Sequence, residues 1–177
     1  MKFYHIKDEY IAYLHDADSK VPDNKHEKRP FIGIVFNVNE MDYYVPLSSP
    51  KPKHKTMKNN KDFRKINGGE YGAINFNNML PVIEEALIEF NIQDEPDYKY
   101  RNLLQNQYRA IVNDFENIKR VARDLYYLCQ LPDDQLKPFE AAIKNRCCNF
   151  RLLETFSVTY LSESNVAATI SSDDDQE

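Results

Sequence analysis

Residues 73 to 177 contain no glycine. The whole chain has four, at positions 33, 68, 69 and 72, where average usage of roughly 7% would supply about three times as many. Backbone turns that need a positive φ therefore belong to the front of the chain, and the long glycine-free remainder predicts helices. The same four positions remove whole chemistries. No two of them form G-x-G and none precedes a lysine, so neither a dinucleotide-binding turn nor a Walker phosphate loop can be built.

Hydrophobic spacing agrees with this division. Lys2 to Ile6 reads as a strand, and Asp8 is placed to cap a helix carrying Tyr10, Ile11 and Leu14 on one face. Residues 16–29 are polar and read as a loop. Phe31 to Phe36 is a continuous apolar run, turned at Asn37 to Glu40 and answered by Tyr43 to Leu47, the signature of a β-hairpin. Tyr71 to Phe76, Met79 to Ile83 and Ala86 to Ile92 suggest three more strands. Beyond Pro96 the period becomes helical: Leu103, Leu104, Tyr108, Ile111, Val112 and Phe115 make one stripe, and Val121, Leu125 and Leu128 make a second after a break expected near Asn117. Leu136 to Arg146 predicts a third helix with Pro138 in its first turn, and Asn149 caps a short fourth one bearing Phe150, Leu153 and Phe156. Sheet first and helices after give an α+β class, with one domain over 1–160 and a Ser/Thr/acidic tail over 161–177 expected to be disordered.

Three cysteines, Cys129, Cys147 and Cys148, are odd in number and include an adjacent pair, which fits neither a disulfide framework nor a zinc knuckle. A reduced, cytoplasmic protein is expected. The first residues mix acids and bases without an apolar core or cleavage site, so they do not read as a signal peptide. No apolar run approaches the roughly 18 residues of a membrane span. The four histidines are scattered with no acidic cluster beside them, so no metal centre is expected.

The net charge of −5 conceals an uneven distribution. Between Lys51 and Lys65 lie six lysines and Arg64 against one acid, Asp62, a local charge of +6. The last five residues carry four acids and no base. By composition alone the basic run is a solvated, mobile loop. Nucleic-acid binding depends on local neutralisation of phosphates, however, and overall acidity does not oppose it.

The run begins beside a chemically suggestive stretch, Pro46-Leu47-Ser48-Ser49-Pro50-Lys51-Pro52-Lys53-His54-Lys55. It sets two hydroxyls, several ammonium groups and an imidazole at the end of an apolar strand. RNA carries its own nucleophile in the 2′-hydroxyl, so strand cleavage needs in-line geometry, cations around the phosphate and proton transfer. Lys51, Lys53, Lys55 and Lys58 supply charge, Ser48 and Ser49 hydrogen bonds, and His54 a group that titrates near neutrality. A non-catalytic RNA-binding module using the same basic loop is the alternative.

Several colinear blocks narrow the choice. Lys2-Phe3-Tyr4, Tyr10-Ile11-x-Tyr13-Leu14, Lys20-Val21-Pro22, Phe31-Ile32-Gly33-Ile34-Val35, Pro46-Leu47-Ser48-Ser49-Pro50-Lys51, Ile74-Asn75-x-x-x-Met79-Leu80-Pro81 and Cys148-Asn149-Phe150-x-x-Leu153-Glu154 resemble the ToxN/AbiQ family, endoribonuclease toxins of type III toxin-antitoxin systems. That resemblance implies a twisted antiparallel sheet packed with helices, related to the Kid/MazF toxins. It implies metal-independent RNA cleavage leaving a cyclic phosphate, with no cofactor, and a role in abortive infection against phage. The partners implied are an antitoxin RNA pseudoknot, held in a closed hetero-oligomeric toxin-RNA assembly, and cellular and phage RNA substrates. Carried over by position, the family's essential serine falls on Ser49, the preceding hydroxyl on Ser48 and the lysine two places on at Lys51. A second cationic residue, a lysine in some members, falls near Arg29, which keeps phosphate contact but cannot shuttle a proton. His54 matches a histidine of some members.

Overall fold

A computed structural model describes the backbone of residues 1–173 and the side chains of residues 1–162. The chain runs β1 (Lys2–Ile6), α1 (Asp8–Ala17), β2 (Phe31–Val38), β3 (Met41–Ser48), α2 (Pro52–Thr56), β4 (Phe63–Lys65), β5 (Ala73–Asn75), β6 (Leu80–Pro81), β7 (Leu87–Glu89), α3 (Tyr98–Gln130), α4 (Pro138–Arg146) and α5 (Phe150–Asp173). Short 3₁₀ turns, among them Asn67–Gly69 and Phe76–Asn78, join the smaller strands. The mixed α and antiparallel β class expected from the sequence is the one observed.

The hairpin β2–β3 is the centre of the sheet, whose order is β4-β5-β3-β2-β1-β7, with β6 paired to β3. Every pairing is antiparallel. The apolar runs of β2 and β3 follow from their place: Phe31, Ile32, Val35, Tyr43, Val45 and Leu47 are all buried. Helix α3 lies against β2, and its buried Leu104, Ile111, Ile118, Ala122 and Leu125 recur at seven-, four- and three-residue steps along one stripe. On α1, Tyr10, Ile11 and Leu14 are buried as expected, and the helix meets α5. There the Tyr10 hydroxyl lies 2.9 Å from the Pro81 carbonyl and 2.7 Å from the Ser157 hydroxyl. Tyr10 and Tyr13 ring contacts with Tyr160 and Phe156 make these tyrosines packing residues.

Several local expectations are corrected. No break occurs at Asn117: α3 is continuous over 33 residues. Nothing between Tyr98 and Gln130 is Gly or Pro, and the Asn117 amide donates to Asp114 Oδ1 at 2.9 Å on the exposed face, leaving the helix backbone alone. Val112 of the expected stripe consequently points outward, 45% exposed. Asp8 is the first helical residue and does not cap α1; its backbone N–H is satisfied by Glu27 Oε1 at 3.0 Å, and its own carboxylate accepts from Asn24 Nδ2 at 2.7 Å and Glu27 N at 3.1 Å. The basic run expected to be a mobile loop holds α2 and β4, because His54 and Phe63 bury their side chains and pin it to the domain. The cap by Asn149 is present, its Oδ1 accepting from Leu152 N at 3.3 Å, but α5 is not short. It continues to Asp173 through a stretch without Gly or Pro, overlapping the segment expected to be disordered, of which 174–177 lie outside the described residues.

Candidate active site

The site starts where the central hairpin runs out. At the end of β3, Leu47 and Ser48 pair with Ile74 and Ala73 of β5. The Ser48 hydroxyl closes this corner, accepting from Asn75 Nδ2 at 3.2 Å and donating to the Ala73 carbonyl at 3.3 Å. Ser49, one residue on, is exposed, and its hydroxyl bonds no other described residue. Alternation along the extended chain thus gives the two neighbouring serines opposite duties, one holding strand register and the other open to a ligand. Lys51 follows in an extended conformation (φ −135°, ψ 148°), and Pro52 starts α2 at a position where a missing N–H costs nothing.

Two of the rare glycines lie directly beneath this segment. Gly72 has φ +93°, and a β-carbon there would overlap the Ser48 carbonyl oxygen. Gly69 has φ +98°, with the His54 carbonyl oxygen 2.6 Å from where its β-carbon would stand. The 66–72 turn therefore packs backbone to backbone under the Ser48–His54 stretch, an approach that only glycine permits.

Above lies a polar groove of about 520 Å³. Of the residues selected from the sequence, Arg29, Ser48, Lys51, Lys53, His54 and Lys58 all line it. Ser49 stands next to the lining, and Lys55 is exposed outside it, so Lys55 is not brought to the groove as expected. Three further cations of the basic run are engaged elsewhere. Lys61 pairs with Glu140 at 2.8 Å, Arg64 with Asp114, and Lys65 Nζ donates to the Lys55 carbonyl at 3.4 Å. Arg29 enters from the preceding loop, its Nε donating to the Asp23 carbonyl at 2.6 Å. Burial draws its pKa below the ordinary arginine value, against the pull of Asp23, though guanidinium stays charged at any physiological pH.

Sequence reasoning selected none of the far wall as site residues, although Asn75 stood in one of the blocks that carry the resemblance. Asn75, Asn77 and Asn78 come from the β5 end and the turn after it, Asp62 from just before β4, and Arg146 from the last residue of α4. The three asparagines within four residues were a compositional signal for that turn; Arg146 carried none. With Arg29, Lys51, Lys53, Lys58 and Arg146 against Asp62, the lining holds five cations and one carboxylate, a net +4.

His54 is 2% exposed, and its Nδ1 has no hydrogen-bond partner among the described residues. Burial, then the charges of Lys51 and Lys53, lower its pKa from the usual 6.5. The imidazole is therefore neutral at pH 7 and able to accept a proton. The shift has a stability consequence. Between pH 6.5 and the lower folded value, the unfolded chain binds a proton that the folded one refuses, so stability falls on acidification through that window. His5, lowered by burial, acts in the same direction. Melting temperature is expected to drop between pH 7.5 and 5.5, and to drop less in His54→Asn; equal drops in the two proteins would place the acid sensitivity elsewhere.

A concave cationic surface lined by a neutral imidazole and the Ser48 hydroxyl suits a phosphodiester, and among the described residues no three His, Cys, Asp or Glu side chains gather to hold a metal ion. Comparison with known proteins gives the lineage. A family model described as toxin ToxN, type III toxin-antitoxin system, matches residues 2–157. The chain belongs to the ToxN family. Endoribonuclease ToxN of Bacillus thuringiensis subsp. kurstaki is 35% identical over 159 residues, covering 86% of this chain and 80% of the relative. Endoribonuclease AbiQ of Lactococcus lactis subsp. lactis is 27% identical, covering 93% of this chain and 91% of its own. Among solved structures, that of a type III toxin selectively inhibited by a non-coding RNA pseudoknot superposes with a TM-score of 0.79 at 31% identity, over 90% of this chain and 96% of the other. AbiQ, a lactococcal anti-phage endoribonuclease, superposes with a TM-score of 0.76 at 25% identity, over 91% and 98%. Ser48, from the sequence block Pro46–Lys51, and Asn75, from the block that begins at Ile74, meet at the corner of β3 and β5.

Proposed function

We propose that the groove at the end of β3 is where this ToxN-family endoribonuclease toxin cuts RNA, by attack of the substrate's own 2′-hydroxyl on the adjacent phosphate. The observation that supports the reading is the +4 groove lined by Ser48, Lys51 and Arg29, with the exposed Ser49 next in the chain. The bond from the 2′-oxygen to phosphorus forms and the bond to the 5′-oxygen breaks. The 2′-hydroxyl gives up its proton and the leaving 5′-oxygen takes one, which yields a cyclic phosphate and a 5′-hydroxyl.

Ser49 donates to a non-bridging oxygen and holds the phosphate in line. Lys51 and Arg29 offset the charge that accumulates on the phosphoryl oxygens, a role that elsewhere falls to a metal and here to fixed cations. Ser48 keeps the corner in register, Lys53 and Lys58 follow the backbone, and neutral His54 stands ready to accept a proton. Lys55 contributes charge from outside the groove.

The rest of the biology follows from family membership. The toxin is held inactive by a pseudoknot RNA antitoxin in a closed assembly, and it acts on cellular and phage RNA during abortive infection. It works in the cytoplasm, in keeping with its three free thiols and with the absence of any described helix long and apolar enough to cross a membrane. Residues 1–160 make up the catalytic unit.

The direct test is a single-stranded RNA carrying one 2′-deoxynucleotide immediately 5′ of a mapped cleavage point. The unmodified strand is expected to be cut equally in EDTA and in magnesium, leaving cyclic-phosphate ends, and the substituted strand to be intact at that position. Cutting through the deoxy position would overturn the mechanism. Tight binding of RNA without cleavage of either strand would favour the binding-module reading.

A further inference from the structure

Asp62 is the only acid in a basic run, and its purpose is visible in the fold. Its side chain is 5% exposed and is met side-on by Arg146, which donates Nε to Oδ2 and, at 3.0 Å, Nη2 to Oδ1. A guanidinium has five N–H groups in a rigid plane. The side-on pair with Asp62 consumes two of them, and among the described residues Nη1 meets no nearer acceptor than the Ala142 carbonyl at 3.5 Å. The end-on fork, one N–H each on Nη1 and Nη2, is left over. Arg146 is 47% exposed, and both members of the pair line the groove. That leftover fork has the spacing of two phosphate oxygens.

The backbone around Arg146 is fastened as firmly as its side chain. Its carbonyl accepts from Asn77 Nδ2 at 3.4 Å, the Cys148 N–H donates to the Asn77 carbonyl at 2.9 Å, and Lys20 Nζ donates to the Cys147 carbonyl at 2.9 Å. Asn77 N in turn donates to the Asp62 carbonyl at 3.3 Å. The end of α4, the 76–78 turn and the residue before β4 thus form one rigid wall. A solvent-facing ion pair would need none of this.

We propose that Arg146, held in place by Asp62, is a phosphate-binding residue of the groove, gripping a backbone phosphate of the RNA strand other than the one being cut. Asp62 is its positioning residue: it fixes the fork's direction and touches no RNA. The proposal deepens the assignment of the groove to RNA, but it concerns strand binding and is independent of the chemistry at Ser49.

The test is binding of a short mixed-sequence 2′-O-methyl RNA, which cannot be cleaved by 2′-hydroxyl attack, measured across a salt series with the full chain. Arg146→Gln alone would leave Asp62 buried and unpaired, so the working variant is Asp62→Asn with Arg146→Gln, whose amides can still bond. Affinity at 0.1 M salt is expected to weaken about tenfold, and the slope of log affinity against log salt to fall by about 0.7, the value for one single-strand phosphate contact. Asp62→Asn by itself keeps the Arg146 charge, so it should weaken binding several-fold without the slope change of the double variant, which separates loss of the fork's direction from loss of the cation. Arg146→Lys serves if the double variant melts without cooperativity: it keeps the charge but lacks the fork, and should weaken binding several-fold. An unchanged slope and an affinity within twofold of the parent in a folded variant would overturn the proposal. Cleavage by Ser49→Ala at the parental rate would instead overturn the reading of the active site and leave Arg146 standing.

Discussion

Ser49→Ala is expected to slow RNA cleavage by at least about a hundredfold, the scale seen when one preorganised donor to a reacting centre is removed. Because Ser49 is exposed and bonds no described neighbour, the variant should melt within about 1 °C of the parent and bind uncleavable RNA with nearly parental affinity. Ser48→Ala makes the contrast. Its hydroxyl bridges Asn75 and Ala73, so its loss should cost about 1–2 kcal/mol of stability and a smaller share of activity, through the corner that carries Ser49. Initial rates on a fluorescent oligoribonucleotide, with thermal melts of the same preparations, separate the two. If Ser49→Ala cleaves at the parental rate in EDTA, the serine has been assigned the wrong role.

Gly72→Ala should damage the protein without touching any polar group. The position has φ +93°, and the added carbon meets the Ser48 carbonyl oxygen. Conformational strain costs about 1–3 kcal/mol, and relieving the overlap must push the end of β3 away from β5. A total near 3 kcal/mol corresponds to a melting temperature lower by about 6–12 °C for a chain of this size. Cleavage should fall at least tenfold even well below the melt, since displacement of Ser48 displaces Ser49. Parental melting and parental cleavage together would show that the 66–72 turn does not support the site.

The glycine pattern was therefore a better guide than any single motif. Three of the four glycines lie in the 66–72 turn, and two of these underlie the groove, whereas the hairpin turn at Asn39 and Glu40 takes positive φ without glycine. The hairpin, the helical second half and the cap at Asn149 were all legible because burial imposes a period on the residues that pack. The 51–65 segment was not legible. A short lysine-rich helix has no apolar stripe, and its order comes from His54 and Phe63 anchored in neighbours that local pattern cannot show. Continuity of α3 through Asn117 was hidden for a related reason, since an intrinsically poor helix former is tolerated where its side chain faces water. Within the site, Ser48, Lys51, Lys53, Lys58 and Arg29 could be selected because cations and hydroxyls cluster along the chain or match the family blocks. Asp62 and Arg146 could not, because each alone looks like a surface charge and their partnership spans 84 positions.

That span bears on when, during its own synthesis, the protein acquires a complete groove. Tyr10 meets Ser157 across 147 positions, and the wall on which Arg146 sits draws on residues 20, 62, 77 and 148. Contacts so far apart in sequence form late, after the intervening chain exists to be looped. A growing polypeptide carries Ser49 and Lys51 early, but on an unfinished sheet and facing no opposite wall. The message has thus been translated past the Arg146 codon before the chain emerging from it can carry the finished groove on which the proposed RNA grip depends.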